Sequence, residues 1–188
     1  AVSKLDTRYP DGKNSMNNFG VFIQHIHKFK NNKLVLNDGI RLQAVTLRSN
    51  ILDNSFFSLP DTVIKQNYTV VTGNIGLVFF PHKNTSIRTS ISSGFRAPNI
   101  DDLSKIFESS SSARQVVVPN ANIKPEYTYN IDLSINQRLF KKLSVEVTGF
   151  YTIFRNGLVK APYKLNGEDS IMYNGVLSQV LASQNSSS

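Results

Sequence analysis

The sequence predicts an all-β protein: an up-and-down antiparallel transmembrane β-barrel segment of about six long strands in three hairpins. Three observations predict it. Apolar and polar residues alternate by two over stretches of about a dozen residues. The connections between these stretches alternate short and long. No apolar run approaches the roughly 18–20 residues of a membrane helix, although 40% of the 188 residues are hydrophobic.

The first stretch, Asn18 to Phe29, is the least regular: Phe19, Val21 and Ile23 share one face, while Phe22 and Ile26 fall on the other. In the second, Leu34, Leu36, Ile40 and Leu42 oppose Val35, Asn37, Arg41 and Gln43. In the third, Val71, Ile75, Leu77 and Phe79 alternate with Thr72, Asn74, Gly76 and Val78. In the fourth, Ile87, Thr89, Ile91 and Phe95 alternate with Arg88, Ser90, Ser92 and Arg96. The fifth is the cleanest. Tyr127, Tyr129, Ile131, Leu133, Ile135, Gln137 and Leu139 form a mainly apolar face against Thr128, Asn130, Asp132, Ser134, Asn136 and Arg138. The sixth sets Leu143, Val145, Val147, Gly149, Tyr151 and Ile153 against Ser144, Glu146, Thr148, Phe150, Thr152 and Phe154. Successive side chains of a strand point to opposite faces, so each stretch has one apolar and one wetter face.

Asn31-Asn32, Pro81 to Asn84 and Lys141-Lys142 read as tight turns, and Arg48 to Asn67, Arg96 to Glu126 and Arg155 onward as long links. A barrel in the outer membrane has short periplasmic turns and long extracellular loops. About 12 residues at roughly 3.3 Å rise, tilted near 45°, give roughly 28 Å of height, which matches an apolar band of about 25 Å. Globular strands average only about 5–6 residues.

The formal net charge of +8, from 21 Lys+Arg against 13 Asp+Glu, raises a nucleic-acid reading. The pattern removes it, because the aromatics Tyr127, Tyr129 and Tyr151 share a face with aliphatics and the arginines lie opposite. The charge is instead expected on lumen positions (Arg41, Arg88, Arg96, Asp132, Arg138 and Glu146), on turn lysines and on outer loops. The absence of Cys excludes disulfides and thiolate sites. No phosphate-binding Gly-rich loop, zinc spacing or nucleophile–base ordering argues for an enzyme or a cofactor. The 22 Ser and 20 Asn suit turns and wet faces.

Two features fit less easily. Asp38 falls on the apolar face, where a bulge or an interfacial position is the expected remedy. His25 and His27 share a face at i, i+2; they read as interface residues near the periplasmic end, and no metal site is expected. His82 reads as a solvated turn residue. Six strands are too few for a closed spanning barrel, and lipid cannot satisfy two open edges. Residues 183–188 read as polar and loop-like. The expected arrangement is therefore residues 1–188 as a piece of a larger barrel, with both ends on the outer side. The alternative is a small autonomous outer-membrane barrel serving adhesion or a porin-like structural role.

Two motifs flank the second long link. Phe95-Arg96-Ala97-Pro98 opens a run in which Asp101 or Asp102 can cap a short helix, with Leu103, Ile106 and Phe107 as its apolar side. Asn120-Ala121-Asn122-Ile123-Lys124-Pro125-Glu126 then leads into the fifth strand. The pair resembles the boxes of TonB-dependent outer-membrane receptors of the Bacteroidetes type: a Phe-Arg-Ala-Pro strand end, a long loop, and an Asn-Pro-Asn-Leu-Lys-Pro-Glu stretch. Ala121 stands where the family has Pro, and Ile123 where it has Leu. Asp38 to Gln43 and Val147 to Val159 resemble two further family strands.

The resemblance implies a receptor in the bacterial outer membrane that binds a scarce nutrient, such as a ferric siderophore, haem or cobalamin. Import is implied to use the TonB complex, acting through a plug domain that this chain does not contain. Haem receptors of the family tend to carry a His between the two boxes, and this chain has none there. The expected partners are outer-membrane lipid, the nutrient and, through the plug, TonB. Ligand contact is expected at the rim and loop residues Arg96, Asp101, Asp102, Lys105, Arg114, Asn120 and Asn122. Phe95, Ala97, Pro98, Lys124, Pro125 and Glu126 complete the family motif.

Overall fold

The computed structural model describes residues 12–29, 31–52, 62–104, 107–110, 114–140, 142–173 and 175–186. Six long strands form one antiparallel sheet: β1 (Asn14–Phe29), β2 (Leu34–Asn50), β3 (Val63–His82), β4 (Thr85–Arg96), β7 (Glu126–Leu139) and β8 (Leu143–Arg155). They pair in chain order, β1-β2-β3-β4-β7-β8, which is the up-and-down topology expected. The sheet is open, with β1 and β8 at its edges. Among the described residues, no helix is long and apolar enough to cross a membrane.

The alternation becomes a surface because the registers line up. Phe29 pairs Leu34, Leu34 pairs Phe79, Phe79 pairs Ile87, Ile87 pairs Ile135 and Ile135 pairs Val147. One apolar row thus crosses all six strands. A second row carries Asp38, Ile75, Ile91, Ile131 and Tyr151. These side chains are left bare: Ile91, Ile131 and Tyr151 are 56%, 48% and 66% exposed. A face this apolar and this open is built for hydrocarbon.

Asp38 sits in that second row with no bulge, so the bulge is corrected as a remedy. Its partner across the ladder is His25, and His25 Nδ1 lies 3.0 Å from Asp38 Oδ1. The two polar misfits of the apolar face are therefore one pair. His27 stacks edge-on against Phe29 with ring centres 4.1 Å apart. Among the described residues no cluster of three metal-ligating side chains occurs.

The opposite face is knitted by polar side chains. Ser90 donates to Asp132 at 2.5 Å, Ser134 to Glu146 at 2.8 Å, and Thr152 to Asn130 at 2.6 Å. Arg88 lies 3.8 Å from Glu146.

The short turns fall at one end. Asn31 and Asn32 both take positive φ (55° and 66°), the conformation that a tight I′-type hairpin demands and Asn tolerates. His82 closes β3 opposite Thr85, exposed, so the second turn is Lys83-Asn84 alone. The strands also overrun their expected limits at the other end. β2 continues to Asn50 and β3 begins at Val63, which shortens the first long link.

The long links are not plain loops. The helix α1 is only Ile100–Ser104, so Phe107 is not on its apolar side; it begins β5 (Phe107–Ser110), and Ile106 lies outside the described residues. Then come β6 (Gln115–Val118), β9 (Leu158–Pro162), β10 (Ser170–Tyr173) and β11 (Val176–Asn185). These five form a second sheet in which β11 pairs parallel with β6 and antiparallel with β9 and β10. The reading of residues 183–188 as loop is corrected on this point: Ser183, Gln184 and Asn185 are strand, paired with Lys160, Val159 and Leu158. Polar side chains do not prevent pairing where a neighbouring strand offers its backbone. Ile51, Val116, Val118, Leu165, Tyr173, Val180 and Ala182 make the core of this outer sheet.

Two outcomes test the apolar face. In the native polypeptide carrying this sequence, folded into lipid vesicles, Ile131→Lys should cost about 2–4 kcal/mol in denaturant titration, while Asn130→Lys should cost far less. His25→Leu, which strands Asp38, should destabilise more than His25→Leu combined with Asp38→Leu. Equal losses for the two would contradict the pairing.

Candidate functional site at the outer rim

The two sequence motifs meet. Arg96, the last residue of β4, pairs in the ladder with Glu126, the first of β7, just above the Phe95–Tyr127 pair, whose rings are 6.3 Å apart. Arg96 Nε donates to Glu126 Oε2, and Arg96 Nη1 donates to Asp102 Oδ2 at 2.7 Å. Asp102 Oδ2 also accepts the Asn99 N–H at 3.0 Å, while Asn99 Oδ1 accepts the Asp102 N–H at 2.9 Å. That reciprocal pair is a capping box, with Asn99 as N-cap of α1. So Asp102 does cap, but from the third helical position. The other Glu126 oxygen accepts the Leu158 N–H at 2.7 Å, which ties the third long link to the same point.

Charge balance follows from this geometry. Burial would raise the Glu126 carboxyl, but the Leu158 N–H and the Arg96 guanidinium outweigh it and hold the carboxyl below its ordinary value. Burial would lower Arg96, but the hydrogen bonds to Glu126 and Asp102 raise it instead. Both carboxylates share one cation, whose side chain is 48% exposed.

The second motif lies against the inner, polar side of the long sheet. Gln66 Nε2 donates to the Ala121 carbonyl at 2.5 Å and the Tyr68 hydroxyl to the Ile123 carbonyl at 3.0 Å. Ile123 and Leu103 are buried with Leu47 and Ile64. Asn120 is 6% exposed; its Nδ2 donates to the Ser183 carbonyl at 2.8 Å and its Oδ1 accepts the Asn122 N–H at 3.0 Å. Asn185 clasps Lys124 by both backbone groups, at 2.7 and 2.9 Å, and reaches the Asn156 carbonyl at 2.7 Å.

The expected ligand residues therefore divide. Arg96, Asp102 and Asn120 are committed to internal partners. Asp101, Arg114 and Asn122 are exposed. Lys105 lies outside the described residues. Pro98 is fully buried and Pro125 is buried too, as anchors of the two runs. On the outer sheet, Pro162, Tyr163, Lys164, Asp169 and Gln179 line a hollow of about 430 Å³, with Lys164 and Asp169 3.7 Å apart.

Sequence reasoning passed over Leu158, Asn156, Asn185, Gln66 and Tyr68. A signal for the outer sheet was present. Asn174-Gly175 between Ser170–Tyr173 and Val176–Asn185 is the strongest short-range hairpin mark, and Gly175 has φ of 78°.

A carboxyl held low contributes stability above its unfolded pKa and loses it as pH falls through the lowered value. The protection factor of the Leu158 amide, its exchange rate measured against the intrinsic rate at each pH, should accordingly stay high at neutral pH and fall as pH drops below the ordinary carboxylate range. Glu126→Gln should abolish that pH step; a step that survives the substitution would place its origin elsewhere.

No curated protein matches the chain. Several solved structures do. The FrpB iron transporter of Neisseria meningitidis (F3-3 variant) is 14% identical with a TM-score of 0.59, over 94% of this chain and 22% of that one. The hemophore receptor HasR of Serratia marcescens, solved with its hemophore HasA and heme, is 14% identical with a TM-score of 0.68, over 90% of this chain and 29% of that one. The siderophore receptor PirA of Pseudomonas aeruginosa is 16% identical with a TM-score of 0.56, over 92% and 37%. The chain thus spans about a fifth to a little over a third of the length of these proteins. The family described as TonB dependent receptor-like, beta-barrel matches residues 2–179. With its boxes joined through Arg96 and Glu126 on an up-and-down sheet, the chain belongs to this TonB-dependent receptor β-barrel family of the outer membrane, a family of transporters rather than enzymes.

Proposed function

We propose that this chain forms wall and outer mouth of a TonB-dependent transporter that imports a scarce nutrient: siderophore-bound iron, haem, cobalamin or a similar compound. The match over residues 2–179 carries this reading. The activities of the similar structures support its direction, since they include an iron transporter and a siderophore receptor. The open edges of β1 and β8 support a larger barrel around this sheet, because unpaired strand edges are not tolerated in lipid. Energy is supplied by the TonB complex through a plug domain carried elsewhere in the polypeptide.

Within the mouth, Asp101, Arg114 and Asn122 face the ligand directly; Lys105, expected beside them, lies outside the described residues. Arg96, Asp102 and Asn120 act as positioning residues that hold the rim in shape. Replacing Asp101, Arg114 and Asn122 together by Ala in the native polypeptide should weaken nutrient binding about tenfold or more, at roughly 0.5–1.5 kcal/mol for each polar contact. Binding is read with radiolabelled ferric siderophore, haem and cobalamin on whole cells. Unchanged affinity for whichever compound is taken up would remove these contacts. Uptake that persists at full rate without TonB would overturn the transporter reading itself.

A further inference from the structure

The net charge of +8 is not spread evenly over the fold. The short-turn segments 28–33, 80–85 and 138–143 hold Lys28, Lys30, Lys33, Lys83, Arg138, Lys141 and Lys142, and no Asp or Glu. The long-link regions 48–67, 96–126 and 155–186 hold nine cations against eight acids and are close to neutral. The expectation of a charge shared among lumen, turns and loops is thereby sharpened: in the sequence, a net +7 of the +8 falls in the short-turn segments.

The placement of these cations relative to the apolar face is equally specific. Lys33, Lys83 and Lys142 are exposed, one at each of the three turns. Neighbouring turns are two strands apart, about 10 Å. The continuous apolar row from Phe29 through Phe79 and Ile135 lies just above them. Phe29 ends its strand, Phe79 stands three residues before His82, and Ile135 four before Leu139. The turn line is thus skewed to the ladder rows, as tilted strands meeting a flat membrane surface require. Phe140, at the third turn, is 90% exposed beside Lys142, and Leu143 is 52% exposed. Cations with aromatic and aliphatic neighbours, set one per turn along the foot of an apolar band, match the headgroup level of a bilayer.

We propose that the short-turn end is a docking surface for anionic phospholipid headgroups of the periplasmic leaflet. Each lysine meets a phosphate while Phe29, Phe79, Phe140 and Leu143 enter the acyl region. The placement of one lysine at each successive turn along the foot of the apolar face favours lipid over an acidic protein, since a lipid surface meets every turn of that edge alike. The acid-free composition favours anionic over zwitterionic headgroups, because a surface built for both signs would carry acids beside its lysines.

The test uses the native polypeptide purified from outer membranes and placed in nanodiscs of phosphatidylethanolamine with a minor share of phosphatidylglycerol. Native mass spectrometry reads the lipids that remain bound. The unaltered protein should retain phosphatidylglycerol above its bulk share, less so at high salt. Lys33→Gln, Lys83→Gln and Lys142→Gln together should lower the enrichment, by up to about fivefold per lysine. The matching Lys→Arg triple should keep it, and Lys65→Gln at the loop end should leave it unchanged. Heat-modifiable migration on a gel checks that each variant is folded. If the unaltered protein shows no enrichment, or the folded Gln triple retains as much as it does, the proposal is wrong. Capture of an acidic periplasmic protein by the turns without lipid enrichment would equally overturn it.

Discussion

Every backbone donor and acceptor on a sheet immersed in hydrocarbon must find its partner in a neighbouring strand, because lipid offers none. That constraint organises the long sheet. It demands strands of 12 to 20 residues held in register, with one irregularity between Phe79 and His82 where β3 meets the turn to β4. The register brings Phe29, Leu34, Phe79, Ile87, Ile135 and Val147 into a single row. A slip of one residue in any pairing would turn a whole strand's apolar set onto the wet face. The constraint also explains why a His–Asp pair can occupy the apolar face. Two polar groups that satisfy each other at 3.0 Å cost less there than either would alone.

Where the sheet leaves the apolar band, the rules change. Above Ala44 the apolar residues of β2 switch sides, from Leu34, Leu36, Ile40 and Leu42 to Val45 and Leu47, while its pairing with both neighbours continues without a break. Val45 and Leu47 are buried on the inner side. What covers the inner side here is the link between β4 and β7, through Leu103 and Ile123. The link turns inward over the sheet, and the Arg96–Glu126–Asp102 group holds both of its ends to the strands it joins.

The family motif is therefore an architectural clamp more than a bare contact surface. Its most recognisable residues, Arg96, Pro98, Asn120 and Glu126, are those with the most internal partners or the deepest burial. Such residues suit a loop that must keep its shape in water above a membrane, while Asp101, Arg114 and Asn122 beside them are exposed.

The six long strands, their order, the lipid-facing side and the two boxes were all legible in the sequence, because period-two alternation and turn residues are local properties. The parity switch on β2 and the Asn174-Gly175 pair are local signals of the same kind. The parallel pairing of β6 with β11, the partner of Asp38 and the clasp made by Asn185 were decided only by the tertiary structure. Each joins residues far apart in the chain through backbone or single side-chain hydrogen bonds. A backbone bond leaves no trace in side-chain periodicity, and a lone Asp or Asn does not reveal its partner until the chain has folded.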